Sequence, residues 1–296
     1  VLCRDCGYVA RCRHCEVPLT YHADQVQLIC HHCNRRQPSP QRCPACGSAR
    51  IRYFGLGTER VEEAVRALLP TARLLRWDAD TARLRGSHAA YLEEFARGRA
   101  DVLIGTQMIA KGLDLPGVTL VGVISADTSL YLPDFRAAER TFQLLTQVAG
   151  RAGRGETPGV VIVQTINPEH YAVRFAARQD YRLFYEKEVQ FRAAMRYPPF
   201  AALANVIVRA RKQEDALRMS SELGSLLTPA PPQMKVLGPA EAPVPRLKEE
   251  FRYQLLIKSA SRKLLNETLQ SLRRHALERK WGPASLVIDV DPVNLM

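Results

Sequence analysis

The sequence predicts an α/β chain in three parts: a cysteine-rich module at 1–53, a lobe with a parallel sheet at 54–195, and an α+β domain at 196–296. Three observations carry that prediction. All eight cysteines fall in four C-x-x-C pairs before residue 47. From Ile51, short apolar runs alternate with helical periodicity, the order of an open parallel sheet covered on both faces. After Pro198-Pro199 the elements read βαββαβ, the ferredoxin-like arrangement.

Composition sets the outer limits. With 296 residues, 46% of them hydrophobic, the chain can bury a substantial core. It has no run of about 18 apolar residues, and its start, VLCRDCG, lacks the basic region, apolar stretch and cleavage site of a signal peptide. A cytoplasmic protein with no membrane partner is expected. The absent initiator methionine, two residues before a cysteine pair, suggests a piece of a longer protein. The net charge of +12 is unevenly spread: 8 basic against 3 acidic residues up to Tyr53, 13 against 13 from Phe54 to Ile166, and 21 against 14 beyond. A basic surplus in the flanking parts is an electrostatic footprint for nucleic acid, although basic proteins without such a partner are common.

In the first module each C-x-x-C pair presents two thiolates on one tight turn, half of a tetrahedral zinc site, and a cytosolic chain cannot rely on disulfides. Four halves make two sites, hence two Zn²⁺ per chain. The spacer Glu16 to Ile29 is close to the zinc-ribbon range, whereas Gly7 to Arg11 is short for closing a site between the first two pairs. That favours nesting, with Cys12, Cys15, Cys30 and Cys33 inside and Cys3, Cys6, Cys43 and Cys46 outside. His14, His31 and His32 are donors in principle, but eight cysteines already fill eight positions. A region this small buries little core, so metal supplies folding energy. Its Arg4, Arg11, Arg13, Arg35 and Arg36, with Tyr8 and Tyr21, also suit phosphate contact with base stacking.

In the lobe, strands are expected at about Arg52–Phe54, Ala72–Trp77, Asp101–Gly105, Val118–Ser125 and Gly159–Gln164, and a helix at about Phe135–Val148. Thr58 follows Gly55 and Gly57 and can cap a helix starting at Glu59; a DNA phosphate at that N-terminus and a plain turn are both open readings. Asp78 and Asp80 end a strand and read as a solvated carboxylate pair. A helix at Tyr181–Met195 precedes the prolines. Beyond them come strand Leu203–Ala210, helix Gln213–Leu227, strands Met234–Leu237 and Arg252–Lys258, helix Arg262–Glu278 and strand Ser285–Val290. The intervening loop from Gly238 to Glu250, with Arg246 and Lys248, could approach DNA.

Two loops of the lobe carry the chemistry. GTQMIAKGLDLP follows an apolar strand and offers Thr106, Gln107, Lys111 and Asp114 at its carboxyl end, where open α/β sheets place ligands. QVAGRAGRG holds Gln147 and pairs Arg151 with Arg154, two guanidiniums on one side of a turn between glycines, suited to gripping a polyphosphate. The chain contains no G-x-x-x-x-G-K-[ST] loop and no D-E-x-H tract.

These loops resemble motifs V and VI of the second motor lobe of superfamily-two helicases. The segment between them, DTSLYLPDFRAAER, is similar to the replication-restart (primosomal) helicases of the PriA family, in its C-terminal portion, and the likeness continues through GLGTER, the cysteines and the terminal IDVDP. The resemblance implies a RecA-like lobe carrying the cysteine module as an insertion, and the same nested cysteine pairing. It further implies ATP and Mg²⁺ in the full-length protein, catalytic Arg151 and Arg154, and a coupling role between nucleotide and DNA for Gln147, Lys111, Thr106, Gln107 and Asp114. Thr58, Arg246 and Lys248 are the candidate DNA contacts. The implied activity is that of an ATP-dependent 3′ to 5′ DNA helicase that recognises stalled or abandoned replication forks and initiates primosome assembly. Its implied partners are branched forks, single-stranded DNA, single-strand DNA-binding protein and other primosomal proteins. The competing reading is a non-catalytic zinc-dependent DNA-binding scaffold. On either reading this chain alone lacks the ATP-binding lobe and is expected to be inert toward ATP.

Overall fold

The computed structural model describes all residues except 4, 16–17, 23–26, 31–32, 34, 53–56, 79–87, 111–116, 151, 154–157 and 296. They divide into two compact units. One comprises Val1–Phe54, Pro133–Phe135 and Val189–Met296, the other Gly55–Leu132 and Arg136–Glu188.

The cysteine module has five short strands, β1 (Leu2–Cys3), β2 (Thr20–His22), β3 (Gln27–Ile29), β4 (Arg36–Pro38) and β5 (Ile51–Arg52). β2, β3 and β4 form an antiparallel meander, and β1 pairs antiparallel with β5. The run that the sequence assigns to the lobe's first strand therefore closes the cysteine module instead; residues 53–54 of that run lie outside the described residues. The physical reason is burial: Ile51 joins Val1, Ala10, Leu19 and Leu28 around five buried cysteines, the only apolar core this module has among the described residues. Tyr8 and Tyr21 lie half-buried against that cluster and act as its walls.

The second unit begins with α1 (Thr58–Leu68), β6 (Leu74–Trp77), α2 (His88–Ala96) and β7 (Val102–Gly105), followed by a 3₁₀ turn (Gln107–Ala110) and β8 (Leu120–Val123). It continues through α3 (Asp127–Leu130), α4 (Ala137–Ala149), β9 (Val160–Val163) and α5 (Tyr171–Ala177) and passes into α6 (Tyr181–Ala194), which runs beyond the unit's last residue. The strands are parallel as expected, but the described residues record two pairs, β6 with β7 and β8 with β9, rather than one sheet. Among the described residues, one face of β8 and β9 is covered. Val123 and Val163 pack under Ala126, Leu130, Phe142, Leu145 and Val173 from the helices, while Leu120, Val160 and Ile162 alternate onto an exposed face. The helix expected from Phe135 starts at Ala137, because Pro133–Phe135 belong to the other unit.

The last domain contains β10 (Ala202–Ala210), α7 (Gln213–Leu226), β11 (Met234–Leu247), β12 (Glu250–Ser259), α8 (Arg262–Glu278) and β13 (Leu286–Val290). Its sheet has the order β11-β12-β10-β13, antiparallel throughout, which is the ferredoxin-like arrangement read from the sequence. Both helices bury one stripe: Ala216, Met219 and Leu223 on α7, and Leu265, Leu269, Leu272 and Ala276 on α8, at the three- and four-residue spacing of a single helical face. Met219, Leu223, Leu265, Leu269 and Leu272 meet Val206, Val208, Leu255 and Ile257 of the central strands, each such burial contributing roughly 1.5–3 kcal/mol. Ser261 caps α8 by accepting the Leu264 N–H at 3.3 Å.

One correction concerns β11. The stretch from Gly238 to Glu250, read as a loop because of its three prolines, is mostly strand, paired with β12 at Ala240↔Gln254, Glu241↔Tyr253, Arg246↔Phe251 and Leu247↔Glu250. The register shifts between Leu237 and Ala240 and between Glu241 and Arg246, and Pro239, Pro243 and Pro245 fall in those irregular stretches, where a missing N–H breaks no ladder bond. Lys248 and Glu249 form the two-residue tip, both left-handed, with φ of 51° and 70°.

Candidate functional site

The first and fourth cysteine pairs sit on matching turns. The Gly7 N–H reaches Cys3 O at 3.0 Å and the Gly47 N–H reaches Cys43 O at 2.9 Å, while the Cys3 and Cys43 N–H groups bond Tyr8 O and Ser48 O at 2.8 Å each. Both glycines have φ near 70°, the left-handed region where a side chain is strained. Asp5 joins the two turns, accepting from Ser48 Oγ at 2.5 Å and from Arg50 Nη1 at 2.7 Å.

The thiols gather into two groups, Cys3, Cys6, Cys43 and Cys46, and Cys12, Cys15, Cys30 and Cys33, each with all its sulphurs within 4.8 Å of one another. The separations Cys3–Cys46 (3.7 Å), Cys6–Cys43 (3.6 Å) and Cys12–Cys33 (3.6 Å) are far beyond the ~2.05 Å of a disulfide. They match the spacing of about 3.8 Å that a tetrahedral ion with Zn–S bonds of ~2.3 Å imposes on its ligands. The donor set therefore fits zinc, as two nested sites of four thiolates each. No histidine is among either set of ligands in the described residues; His14 instead contacts Arg35 and Glu249, and His31 and His32 lie outside them. Burial pushes the Cys15 thiol up to about 12, against the Lys248 N–H, which lowers it. The backbone at Cys6 draws the Cys3 thiol down to about 7. Four crowded thiols resist ionising together, and a divalent cation supplies the charge that lets them do so.

The inner site also has neighbours that sequence reasoning missed. The hairpin tip between β11 and β12 reaches the second knuckle: the Lys248 N–H donates to Cys15 Sγ at 3.3 Å, the Glu249 N–H to His14 O at 2.9 Å, and Arg246 Nη1 to Arg13 O at 3.0 Å. Arg246 also lies over the Phe251 ring, 4.8 Å from its centroid, so its guanidinium is engaged, while the Lys248 side chain is exposed. The sequence carried little signal for this tip, because Lys-Glu followed by Glu250 is not a sequence that marks such a turn.

In the other unit the structure juxtaposes the bases of the two loops. Thr106 O accepts the Ile109 N–H at 3.1 Å, opening the 3₁₀ turn that packs against α4. Gln107 Nε2 donates to Ser129 Oγ at 3.2 Å. Gln147 is exposed in the last turn of α4, and the Gly153 N–H donates to Val118 O at 3.0 Å, holding the second loop against the approach to β8. Lys111, Asp114, Arg151 and Arg154 lie outside the described residues.

Thr58 does not cap α1. Gly57 is the N-cap and carries no side-chain bond, and the Thr58 hydroxyl donates to Asp78 Oδ2 at 2.6 Å. Asp78 is buried, 6% exposed, rather than solvated, because Arg76 Nε stands 3.3 Å from the same oxygen; Asp80 lies outside the described residues. The carboxylate of Asp78 thus lies against the hydroxyl of Thr58, the first residue of α1.

Comparison with known proteins settles the lineage. Residues 12–38 match the PriA DNA helicase Cys-rich region domain, 59–156 the helicase conserved C-terminal domain, and 193–293 the primosomal protein N C-terminal domain. The chain is 46% identical to the replication restart protein PriA of Bacillus subtilis over 300 residues, covering all of this chain and 37% of that protein. The PriA proteins of Synechocystis and Treponema pallidum are 41% and 43% identical, with 100% and 99% of this chain and 36% and 44% of their own lengths aligned. The chain belongs to the PriA family. It corresponds to the C-terminal portion: cysteine-rich region, helicase C-terminal lobe and PriA C-terminal domain. It spans well under half the length of these relatives. The Cys-rich match encloses only the inner site, Cys12 to Cys33; the outer site is added by the geometry. Among the described residues no helix is long and apolar enough to cross a membrane.

Proposed function

We propose that this chain is the C-terminal part of an ATP-dependent DNA helicase of 3′ to 5′ polarity, cytoplasmic, that recognises stalled or abandoned replication forks and initiates primosome assembly. The observation that carries the reading is end-to-end similarity, at 46% identity, to a replication restart protein, with both glycine-bounded loops inside the helicase match. In functional terms residues 1–53 are a zinc module inserted in the motor, 54–195 its second lobe, and 196–296 a DNA-facing domain. Arg151 and Arg154 face the γ-phosphate of ATP, with Mg²⁺, held on the other lobe. Thr106, Gln107, Lys111, Asp114 and Gln147 couple that event to DNA. Lys248, whose ammonium is exposed, is better placed for a DNA phosphate than Arg246, whose guanidinium is engaged, or Thr58, whose hydroxyl is bonded to Asp78. Forked and single-stranded DNA, single-strand DNA-binding protein and other primosomal proteins are the partners.

The test is Arg151→Ala and Arg154→Ala in the full-length protein. Arginine fingers of this kind contribute about 10³ to 10⁵ in turnover, roughly 4 to 7 kcal/mol of transition-state stabilisation. Each variant loses DNA-stimulated ATP turnover and unwinding while fork affinity at one fixed salt concentration and zinc content stay near normal. Near-normal turnover in both would remove this loop from the motor's chemistry, and an unsubstituted full-length protein without DNA-stimulated turnover would favour the non-catalytic scaffold. The chain alone, with no phosphate-binding loop in its sequence, is inert toward ATP yet binds DNA with a steep salt dependence.

A further inference from the structure

We propose that the hairpin tip between β11 and β12 is part of the inner zinc site. The Lys248 N–H acts as its outer hydrogen-bond donor, so metal retention at Cys12, Cys15, Cys30 and Cys33 depends on docking of the C-terminal domain, and metal loading in turn fixes the hairpin.

The contact spans 233 residues of sequence, with the Lys248 N–H 3.3 Å from Cys15 Sγ. It is one of a set. Arg246 Nη1 and the Glu249 N–H bond the carbonyls of Arg13 and His14, and Glu249 Oε1 stands 3.3 Å from His14 Nε2. Leu247 packs against the cluster that contains the cysteines. All of these contacts fall on the second knuckle or the core beneath it.

The turn itself points the same way. Lys248 and Glu249 both hold positive φ, a conformation that asparagine and glycine adopt with less strain. Strained backbone of this kind persists where its surroundings over-determine it and is found at ligand clamps. Here the conformation aims one N–H at a thiolate. A zinc-bound thiolate carries negative charge, and an N–H donated to it withdraws part of that charge, making the sulphur harder to protonate and displace. Loss of such outer partners commonly weakens metal binding by about 10- to 100-fold.

The experiment uses the zinc-loaded chain and follows release of its two ions to a chelator. Lys248→Pro removes the N–H and cannot adopt the left-handed conformation, whereas Lys248→Gly keeps both. Lys248→Pro accelerates one of the two release phases by about tenfold or more and leaves the other unchanged; Lys248→Gly changes neither. In cobalt-substituted protein Lys248→Pro shifts the thiolate-to-metal charge-transfer band of one site only. Unchanged release and spectrum in Lys248→Pro, with the C-terminal thermal transition intact, overturn the proposal. If that transition is lost, replacement of the Lys248 amide by an ester through semisynthesis decides, since it removes the N–H and keeps the left-handed conformation: faster release of one ion supports the proposal, and unchanged release overturns it. The reciprocal arm is amide exchange in Cys12→Ser, which loses the inner ion. Protection falls at residues 246–250 and holds across α7; protection at the tip equal to that of the loaded chain overturns the coupling.

Discussion

Phe135 lies face to face with Tyr197, ring centroids 4.9 Å apart and planes 10° from parallel. The Arg192 guanidinium is 5.3 Å from the Phe135 centroid and the Lys258 ammonium 3.4 Å from that of Tyr197, so each ring carries a cation. Phe135 is buried with Leu203 and Leu295, and the Leu295 N–H donates to Asp134 Oδ2 at 3.3 Å. The chain leaves one compact unit at Leu132, spends three residues in the other, and returns at Arg136.

Phe135→Ala therefore destabilises the unit containing the C-terminal domain by about 3 to 5 kcal/mol, the range for a buried phenylalanine. Phe135→Leu restores most of the volume but loses the stack, leaving a deficit of about 1 kcal/mol. Denaturant unfolding of both variants checks this; an alanine variant within a few tenths of a kcal/mol of the parent would mean that the segment is not anchored.

Nested metal sites give a pairwise signature. Cys12→Ser and Cys33→Ser lose the same ion, and Cys3→Ser and Cys46→Ser lose the other, so metal analysis of each single variant falls from two ions per chain to one. The outer pair retains the inner site's cobalt spectrum and the inner pair the outer site's. Any variant of one set that erased the other set's spectrum would contradict the grouping.

The Thr58 hydroxyl serves a buried carboxylate that is flanked by Arg76, which in turn stands 3.4 Å from Glu59 and 3.7 Å from Glu62. Thr58→Val costs about 1 to 3 kcal/mol by removing a donor to a charged, buried acceptor, and Thr58→Ser recovers most of it. Thermal unfolding separates the two; equal melting of valine and wild-type chains would place the hydroxyl outside the fold's stability.

Asp101 receives a fork from Arg73, Nε to Oδ2 at 3.0 Å and Nη2 to Oδ1 at 2.7 Å, which joins the starts of β6 and β7. The side-chain and backbone hydrogen bonds from Arg73 hold the Asp101 carboxyl down at about 2. A depressed carboxylate stabilises the fold fully above its unfolded value of about 3.9 and loses that contribution as pH falls toward 2. Asp101→Asn removes this part of the acid limb, and a carboxyl titration by NMR reads the midpoint directly; a midpoint near 4 would rule the fork out in solution.

Much of this was legible in the sequence where a strong period or fixed spacing carried the information. In the C-terminal domain α8 is found at Arg262–Glu278 as read and β10 within one residue, because Leu265, Leu269 and Leu272 keep a helical stripe and β10 is apolar almost throughout. The cysteine nesting followed from spacer lengths. What escaped was set by partners far away in sequence. Ile51 pairs with Cys3 rather than with the lobe. Pro239, Pro243 and Pro245 read as loop markers because the bulges that tolerate them exist only in the paired sheet. Asp78 read as solvated because the hydroxyl it accepts from, Thr58, lies 20 residues earlier at the start of α1. Phe135 read as helix start because its stacking partner comes 62 positions later in the chain.

The pairing of Leu2–Cys3 with Ile51–Arg52 has a topological consequence. Adjacent antiparallel strands lie about 5 Å apart, so the two ends of the cysteine module emerge side by side, like the legs of a stem-loop. At that stem the adjoining chain has to accommodate only two adjacent strand ends, and the β11–β12 tip is a second point of attachment, at the second knuckle. Changes of length within the metal-bound head leave the spacing at its base untouched, but a stem moved elsewhere would carry the strands without the N–H that Lys248 gives to Cys15, so the head is tethered at two points and not freely exchangeable.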